Sequence, residues 1–514
     1  MRAAIAARSW RRISLVVIVV AWMTISAWQA CKPLPPGLDT SSAWQPAAPG
    51  GVSFIADITA ADAYGRPVVS QAIFDQALAI VHSARSFIVL DYFLFNADRL
   101  ATPAPGAPRL LSAQLRDALL QRRREQPGLR VLFITDPINA RYGDRASADL
   151  QQLRAAGIDV VVTDLERLRD SNFIYSGLWR LAIRWWIPGG HGGHGDHGGG
   201  DHGGGRGWLP NPLDESNTAL SFGAWSRLMN FKANHRNVLI ADDGHGRLVS
   251  VVGSASPHDA SAEQSNVAFR IADAALPALL QSELAIARFS GWQGRVAPLP
   301  PAVETTQHSA RSAIAGPRVQ VLTEGAIRSA ILQRLNAAGT GETIEVAMLY
   351  LADRGIVEAL ARAARRGVTV RLILDPNKDA FGQARSGIPN QPVASELVAA
   401  SDGAIHVRWY RTHGEQFHTK LVMVCGAQRL WAILGSANLT RRDLGDYSLA
   451  ADVAVDVERT APLAEQMLGY FNALWSNRAG LGIEYTADFG YYADPSQLDY
   501  WWYRLLEGSG FATF

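Results

Sequence analysis

The segment most informative about the fold is HTKLVMVCGAQRLWAILGSANLT, residues 418–440. It contains two short apolar runs of the kind that form β-strands, and each run is bordered by polar residues. A related stretch, HRNVLIADDGHGRLVSVVGSAS, occupies residues 235–256. The spacing from His235 to Gly253 is 18 positions, and the spacing from His418 to Gly435 is 17. The chain therefore contains the same unit twice.

The repetition extends upstream of both stretches. SFIVLDYFLFN (86–96) corresponds to ETIEVAMLYLAD (342–353), LRVLFITDP (129–137) to VTVRLILDP (368–376), and GIDVVVTDL (157–165) to AIHVRWYRT (404–412). Ala-, Leu- and Arg-rich helical segments alternate with these β-like runs, which is typical of an α/β sheet covered by helices. Order, type and spacing agree over five elements, so we predict two homologous lobes, each a mixed β-sheet flanked by helices.

The length of 514 residues also favours more than one core, because single cores stop growing at about 250–300 residues. We predict the following division of the chain: a basic cytoplasmic segment (1–12), a transmembrane anchor or signal (13–30), a linker (31–51), the first lobe (52–300) with an insertion at 189–207, a second linker (301–316), the second lobe (317–480) and an aromatic-rich tail (481–514).

The N-terminal segment has the features of a membrane-targeting sequence. Arginines at 2, 8, 11 and 12 precede 18 uncharged residues, Ile13–Ala30, which as a helix span roughly 27 Å and so cross a bilayer core of about 30 Å. The basic flank predicts a single-pass inner-membrane protein with a cytoplasmic N-terminus and a periplasmic body. A cleaved signal peptide and a lipoprotein cysteine at Cys31 are the alternatives.

Charge and cysteine content narrow the function classes. The chain has 49 basic and 47 acidic residues and a net charge of +2, so no overall field attracts nucleic acid and an anionic substrate needs a local cluster of cations. Cys31 and Cys425 lie in such different contexts that we expect no disulfide between them.

Three segments have two interpretations each. The glycine tract at 189–207 contains four histidines, so it is a flexible loop or a labile transition-metal site, and we assign it no catalytic role. The Trp- and Arg-rich segment Ile174–Pro188 is a core-facing amphipathic helix or an interfacial segment that rests on lipid headgroups. The aromatic tail packs on a lobe or contacts the membrane in the same way.

The candidate chemistry centres on His418 and Lys420. Residues i and i+2 of a strand share one face, so these two side chains project together. GSAN places Ser436 and Asn438 beside a glycine, where small polar groups can approach an anion. A nucleophile or acid next to a fixed cation is what phosphoryl transfer requires.

HTK followed by GSAN resembles the HKD signature of the phospholipase D superfamily, and the similarity covers residues 52–480. The resemblance implies two lobes related by pseudo-twofold symmetry, with His235 and His418 in one site. It further implies that one histidine, to which we assign His235, attacks phosphorus to form a phosphohistidine, while the other protonates the leaving alcohol. Metals and cofactors are not required. It assigns Lys420 to the phosphate, and gives supporting or substrate-binding roles to Ser254, Ser436, Asn438 and Asn266.

The first motif departs from this pattern. Asn237 stands where the lysine is expected, and GSAS ends in Ser256 instead of asparagine. Loss of a charged partner costs about 1.5–3 kcal/mol, or roughly ten- to a hundredfold in rate. We expect Lys232, rather than Arg236, to compensate. In the second motif Cys425 replaces the acidic residue that Asp242 provides in the first.

The leading functional prediction is a phosphodiesterase or phosphatidyltransferase that acts on phospholipids at a membrane. Two alternatives are a nuclease of the same superfamily and a catalytically impaired phosphate- or lipid-binding protein. The sequence leaves the oligomeric state and the lipid headgroup open.

Overall fold

The computed structural model describes residues 2–62, 64–95, 109–143, 147–186, 207–210, 219–272, 274–296, 316–380, 383–477 and 483–512. The strands are β1 (Gln45–Pro46), β2 (Val52–Ala61), β3 (Pro67–Ser70), β4 (Phe87–Tyr92), β5 (Arg130–Thr135), β6 (Asp159–Val162), β7 (Asn237–Asp242), β8 (Leu248–Gly253), β9 (Asn266–Ala272), β10 (Arg318–Thr323), β11 (Thr343–Met348), β12 (Thr369–Leu374), β13 (Asp379–Ala380), β14 (Gln383–Ala384), β15 (Ile405–Tyr410), β16 (Lys420–Cys425), β17 (Arg429–Gly435), β18 (Ala451–Glu458) and β19 (Thr486–Asp488).

The helices are α1 (Arg2–Cys31), α2 (Ile73–Ser83), α3 (Leu111–Glu125), α4 (Ala148–Ala155), α5 (Phe173–Leu178), α6 (Phe222–Leu228), α7 (Leu276–Phe289), α8 (Gly325–Ala337), α9 (Arg354–Arg365), α10 (Asn390–Ala400), α11 (Arg441–Leu444), α12 (Pro462–Ser476) and α13 (Gln497–Ser509).

Two large sheets repeat one topology, which confirms the predicted α/β fold of two homologous lobes. The first sheet has the strand order β3-β2-β9-β8-β7-β4-β5-β6, and the second has β1-β10-β18-β17-β16-β11-β12-β15-β19. In each lobe three strands run parallel (β4-β5-β6 and β11-β12-β15), and the next strand, β7 or β16, is antiparallel to them. The strand that follows each histidine is thus central in its sheet.

The inner faces of the two sheets share one hydrophobic core. Alternate side chains of a strand point to opposite faces, so Val238 and Ile240 of β7 join Leu421 and Met423 of β16 in this shared core. Their neighbours in sequence contact the helices of their own lobe: Leu239 lies in the outer core of the first lobe. Because the strands are buried on both faces, they are almost wholly apolar.

Segments predicted as linker and tail also contribute to the second sheet. β1, from the stretch between the N-terminal helix and the first lobe, pairs with β10, and β19 pairs with β15 at the other edge. Both edges of the second sheet are therefore covered by short strands, which reduces edge-to-edge association. The N-terminal apolar helix is present as α1, and Trp10–Cys31 is long and apolar enough to cross a membrane.

A buried arginine joins the lobes next to the first histidine. Arg236 is fully buried, and its guanidinium lies 2.9 Å from Glu283 of the first lobe and 2.7 Å from Glu324 of the second. Glu324 in turn accepts hydrogen bonds from the backbone of Asp39 and Ala450. The ion pairs therefore connect α7 and the start of α8 to the residue between His235 and β7.

Replacing Arg236 should destabilise the protein strongly. Arg236→Met leaves two carboxylates buried without their cation, which typically costs about 3–5 kcal/mol. Chemical denaturation of the purified protein would measure the loss. Arg66→Met, which breaks an exposed pair with Asp62, is the matched control and should cost about 1 kcal/mol or less. Equal losses in the two variants would contradict a role for Arg236 in joining the lobes.

Candidate functional site

The two histidines meet at the boundary between the lobes. His235 and His418 each precede a central strand by two residues. Backbone bridges at this point cross between the lobes: Asn234 pairs with Leu449, and Phe417 pairs with Ser265. The amide of His235 also donates to the carbonyl of Leu449 over 2.9 Å. Each histidine is thus fixed against the opposite lobe.

The aspartates of the two Asp-Pro pairs fix the backbone before each histidine. Asp136 accepts a hydrogen bond from the amide of Asn234 at 2.7 Å, and Asp375 accepts one from the amide of Phe417 at 2.7 Å. Burial raises the pKa of each of these carboxyls to about 7. The repeated sequence therefore reflects a repeated support for the site.

His418 is oriented by an amide from the first lobe. Its Nδ1 lies 3.0 Å from Oδ1 of Asn266. The Nδ2 of Asn266 donates to the carbonyl of Gln264, so Oδ1 is the acceptor that faces the ring. In the neutral histidine the proton therefore resides on Nδ1, and Nε2 carries the free lone pair.

Lys420 places a positive charge directly against this ring. Its Nζ lies 3.1 Å from Nε2 of His418 and 3.2 Å from the carbonyl of the same residue. Burial, then the charge of Lys420 and that of His235, hold the pKa of His418 well below its usual range. Burial also lowers the pKa of Lys420 to about 7, although Asp443 and other carboxylates oppose the shift. The charge of His235 is thus felt at His418 across the lobe boundary.

His235 has a carboxylate from the second lobe as its partner. Its Nδ1 lies 3.3 Å from Oδ2 of Asp443, a residue of the short helix α11. Among the described residues Nδ1 has no well-aligned hydrogen-bond partner, so the contact is mainly electrostatic. Burial raises the pKa of Asp443, but His235 and Arg442 outweigh it and lower the pKa to about 2. Asp443 is therefore a permanent anion at neutral pH.

Asn237 and Ser256, which stand where the motif has a lysine and an asparagine, form a neutral hydrogen-bonded pair. Oδ1 of Asn237 accepts a hydrogen bond from the Ser256 hydroxyl at 2.6 Å, and its Nδ2 donates to the carbonyl of Ser254. Both side chains are buried. The two departures from the motif thus satisfy each other, and the first half-site has no cation at this position.

The remaining predicted residues, Ser254, Ser436 and Asn438, are buried beside the site and hydrogen-bond to neighbouring segments. Ser254 and Ser436 are buried, and each hydroxyl accepts a hydrogen bond from the next strand, at Val267 and Ala451 respectively. Ser254 also donates to Asn266 at 2.9 Å. Asn438 donates its side-chain amide to Asp443, and its Oδ1 is buried without a partner among the described residues.

The expectation that Lys232 supplies the missing charge needs correction. Its ammonium lies 2.7 Å from Asp170 and 3.1 Å from the carbonyl of Leu168, so its charge is neutralised there. Arg236, the weaker alternative, points to the other face of the strand and binds Glu283 and Glu324. Lys420, whose Nζ lies 3.1 Å from Nε2 of His418, is therefore the lysine located at the site.

Sequence reasoning missed Asp443. It lies eight positions after Gly435 in RRD, a charged run that reads as solvent-exposed. Only the folding of α11 over the lobe boundary brings it to His235. Among the described residues, no group of three His, Cys, Asp or Glu side chains could hold a metal ion. The glycine and histidine tract at 189–207 lies outside the described residues, apart from Gly207.

Comparisons with known proteins agree with this fold. Residues 331–475 match the family described as "Cardiolipin synthase, PLD-like domain". No curated protein matches the chain in sequence. Among solved structures, the chain is similar to phosphatidylserine synthase from Haemophilus influenzae Rd KW20, with a TM-score of 0.52 and 11% identity over 96% of this chain and 98% of that one.

Two further structures share less of the architecture. Nuc, a phospholipase D family member from Salmonella typhimurium, is 22% identical with a TM-score of 0.24, over 31% of this chain and 95% of that chain. Yeast tyrosyl-DNA phosphodiesterase is 11% identical with a TM-score of 0.36, over 80% of this chain and 91% of that chain. The second lobe thus matches a PLD-like domain family, and the fold of the whole chain is similar to that of phosphatidylserine synthase.

Proposed function

We propose that the protein is a phosphodiesterase or phosphatidyltransferase that acts on membrane phospholipids through a phosphohistidine intermediate. One arrangement supports the proposal: His235 and His418, from different lobes, lie at the lobe boundary, with the buried cation of Lys420 3.1 Å from His418 and the carboxylate of Asp443 3.3 Å from His235. This arrangement offers a nucleophile, a proton donor and a charge for the non-bridging oxygens of a phosphodiester.

A phospholipid is the substrate class that the surroundings favour. The description of the family that matches the second lobe names cardiolipin synthase. The solved structure similar to the whole chain is that of a phosphatidylserine synthase. α1 carries an apolar stretch that is long enough to anchor the body at a bilayer. We extend the proposal to location: α1 is a single-pass anchor, and the two lobes lie on the periplasmic side of the inner membrane.

In the first step Nε2 of His235 attacks phosphorus. A nitrogen–phosphorus bond forms, the bond from phosphorus to the leaving alcohol breaks, and His418 donates the proton that the alcohol needs. Asp443, 3.3 Å from Nδ1, stabilises the positive charge that develops on the ring of His235. The anionic phosphate of the substrate offsets the charge of Lys420 and so favours the protonated form of His418.

The second step reverses these roles. His418, now neutral, accepts a proton from water or from an acceptor alcohol through Nε2. The oxygen attacks phosphorus, and the nitrogen–phosphorus bond to His235 breaks. Water yields a phosphatidic acid, whereas an alcohol yields a new phospholipid. Asn266 keeps the ring of His418 in the orientation that both steps need.

The proposal predicts headgroup release or exchange by the full-length protein in lipid vesicles. Anionic and zwitterionic phospholipids with a radiolabelled phosphate would be tested with and without added glycerol. Wild type should form a labelled covalent adduct on denaturing gels, and His235→Ala should not. Failure of wild type to release, exchange or trap any of these lipids would refute the catalytic function and favour a binding role.

Removal of the charge of Asp443 should slow the reaction. Asp443→Asn keeps the shape but loses the anion that stabilises the His235 ring, so we expect the rate to fall by about 100-fold or more. Asp488→Asn, in which an exposed carboxylate paired with Arg408 is changed, is the matched control. A rate for Asp443→Asn within the error of the control would show that His235 works without its carboxylate.

Inhibitor binding should depend on the protonation of Lys420. Its pKa of about 7 means that the ammonium is charged below this pH and neutral above it. Affinity for a dialkyl phosphate should therefore fall as the pH rises through about 7. Lys420→Arg should remove this dependence, and Lys420→Gln should bind weakly at every pH. A flat profile in wild type would contradict the assignment of Lys420 to the phosphate.

A further inference from the structure

A second apolar helical segment lies against the N-terminal helix. α5 continues without a break through residues 179–186, and we call residues 173–186 the α5 segment. Within it, Phe173–Ile183 is a short apolar helical stretch in which Arg180 is the one charged residue. Ile174, Leu178 and Trp185 are exposed, at 41%, 50% and 64%. Exposed apolar residues on a helix next to a membrane anchor require a nonpolar partner.

The contact between the two helices falls inside the membrane-spanning stretch. The indole of Trp22 donates to the carbonyl of Ile174 at 3.0 Å. Gly177 lies so close to α1 that a Cβ atom there would be 2.0 Å from Oγ of Ser26. Ser26 and Trp22 precede the end of α1 at Cys31 by five and nine residues, or about 8 and 14 Å along the helix.

These distances fix the depth of the α5 segment. A helix needs about 20 apolar residues to cross a bilayer, and the candidate span is Trp10–Cys31. Any such window includes Trp22 and Ser26. If α1 crosses the membrane, the α5 segment must therefore enter the bilayer beside it. Its contacts lie about 8 and 14 Å from the end of α1, at and below the depth of about 5–10 Å at which interfacial helices bury their apolar face.

α13 exposes a second apolar surface. Leu498, Trp501, Trp502 and Leu505 lie at spacings of three and four residues, so they form one helix face, and each is more than half exposed. The opposite face holds Tyr503 and Glu507, which are buried against the body. This is the reverse of a helix that packs on its own core, since its apolar stripe faces outward.

The two helices meet at one point. Gly510, which ends α13 in the left-handed conformation with a φ of 79°, approaches the carbonyl of Ser171 so closely that a Cβ would lie 1.8 Å from it. Ser171 directly precedes Asn172, the N-cap of α5. The C-terminal end of α13 and the N-terminal end of α5 therefore lie next to each other.

The same junction connects to the reaction site. Ser171 donates to the carbonyl of Phe231 at 2.9 Å, and Ser176 donates to Asn230 at 2.6 Å, a few residues before His235. On the other side, Arg441 donates to the carbonyl of Ser171, two residues before Asp443. The segments that carry His235 and its carboxylate partner are thus both attached to this junction.

We propose that the α5 segment and α13 form a membrane-contact face that lies in the lipid interface beside α1 and holds the site at the bilayer surface. The proposal rests on the function and location proposed above, since it takes α1 as a membrane anchor. Its occupant is a phospholipid bilayer, because the α5 segment packs against a helix of membrane-spanning length. A tryptophan-rich apolar face of this kind suits the headgroup region.

Lipid proximity can be measured at single cysteines in the full-length protein. Cys31→Ser removes the exposed thiol, and Cys425 is buried with a thiol pKa of about 12, so it does not react with a label. An environment-sensitive fluorophore is attached at Leu178→Cys, Trp502→Cys, Val17→Cys or His245→Cys. The vesicles contain phosphatidylcholine, phosphatidylglycerol and a lipid with a quencher on its acyl chain.

A label at Val17, in α1, shows whether α1 is inserted in the bilayer, and a label at His245 is the matched control. His245 is exposed in the turn at the far end of β7, roughly 20 Å along the strand from the site. We expect quenching at 17, 178 and 502 but not at 245. Absence of quenching at 17 would overturn the anchor itself. Quenching at 17 with either 178 or 502 no more quenched than 245 would overturn the two-helix face alone.

A kinetic measurement separates this face from catalysis. Trp501→Ser combined with Trp502→Ser should lower activity on vesicles at least severalfold and leave activity on a dispersed short-chain phospholipid unchanged. Tyr64→Ser, at an 84% exposed aromatic residue, is the matched control and should change neither. Equal activity of the double variant and the control on vesicles would contradict the proposal, whereas loss on both substrates would indicate damage to the site.

Discussion

The site depends on a buried cation that contacts no substrate. Arg236 lies between His235 and Asn237 in sequence but points to the opposite face, where Glu283 and Glu324 bind it from the two lobes. Such a buried cluster is costly to desolvate and tolerates little rearrangement. Because Glu324 also holds the amide of Ala450, the same cluster fixes the strand that follows α11. The relative position of the lobes, and so the approach of the two histidines, depends on it.

With the lobes fixed, each supplies what the other lacks. Asn266 of the first lobe orients His418, and Asp443 of the second contacts His235. Neither histidine obtains this partner from its own lobe. Asn266 fixes the tautomer of His418, whereas a carboxylate, that of Asp443, lies beside the ring of His235. A single chain with two lobes thus behaves as one site rather than as two tandem ones.

The sequence predicted most of the fold because the signal was periodic and repeated. Short continuous apolar runs such as residues 238–241 and 421–424 identify central strands, and their repetition in the second lobe indicates the strand order. The sequence also led to His235, His418, Lys420 and Asn266. It could not locate Asp443, whose position depends on how α11 folds across the boundary, and it assigned Lys232 to a missing charge although Asp170 binds it. Both cases depend on contacts distant in sequence, which local pattern does not encode.

The unequal half-sites have a consequence for the order of events. Ser254 and Ser436 bind the amides of Val267 and Ala451 in the same way, so Ala450 occupies the place of Asn266. A symmetric pair of second lobes would give both rings a carboxylate and a lysine, and either could begin the reaction. Here one ring faces an amide and the other an anion. Under the mechanism proposed above, the two ends of a bound diester would therefore be distinguished before any bond breaks, and the ester would enter and the alcohol would leave in one fixed orientation.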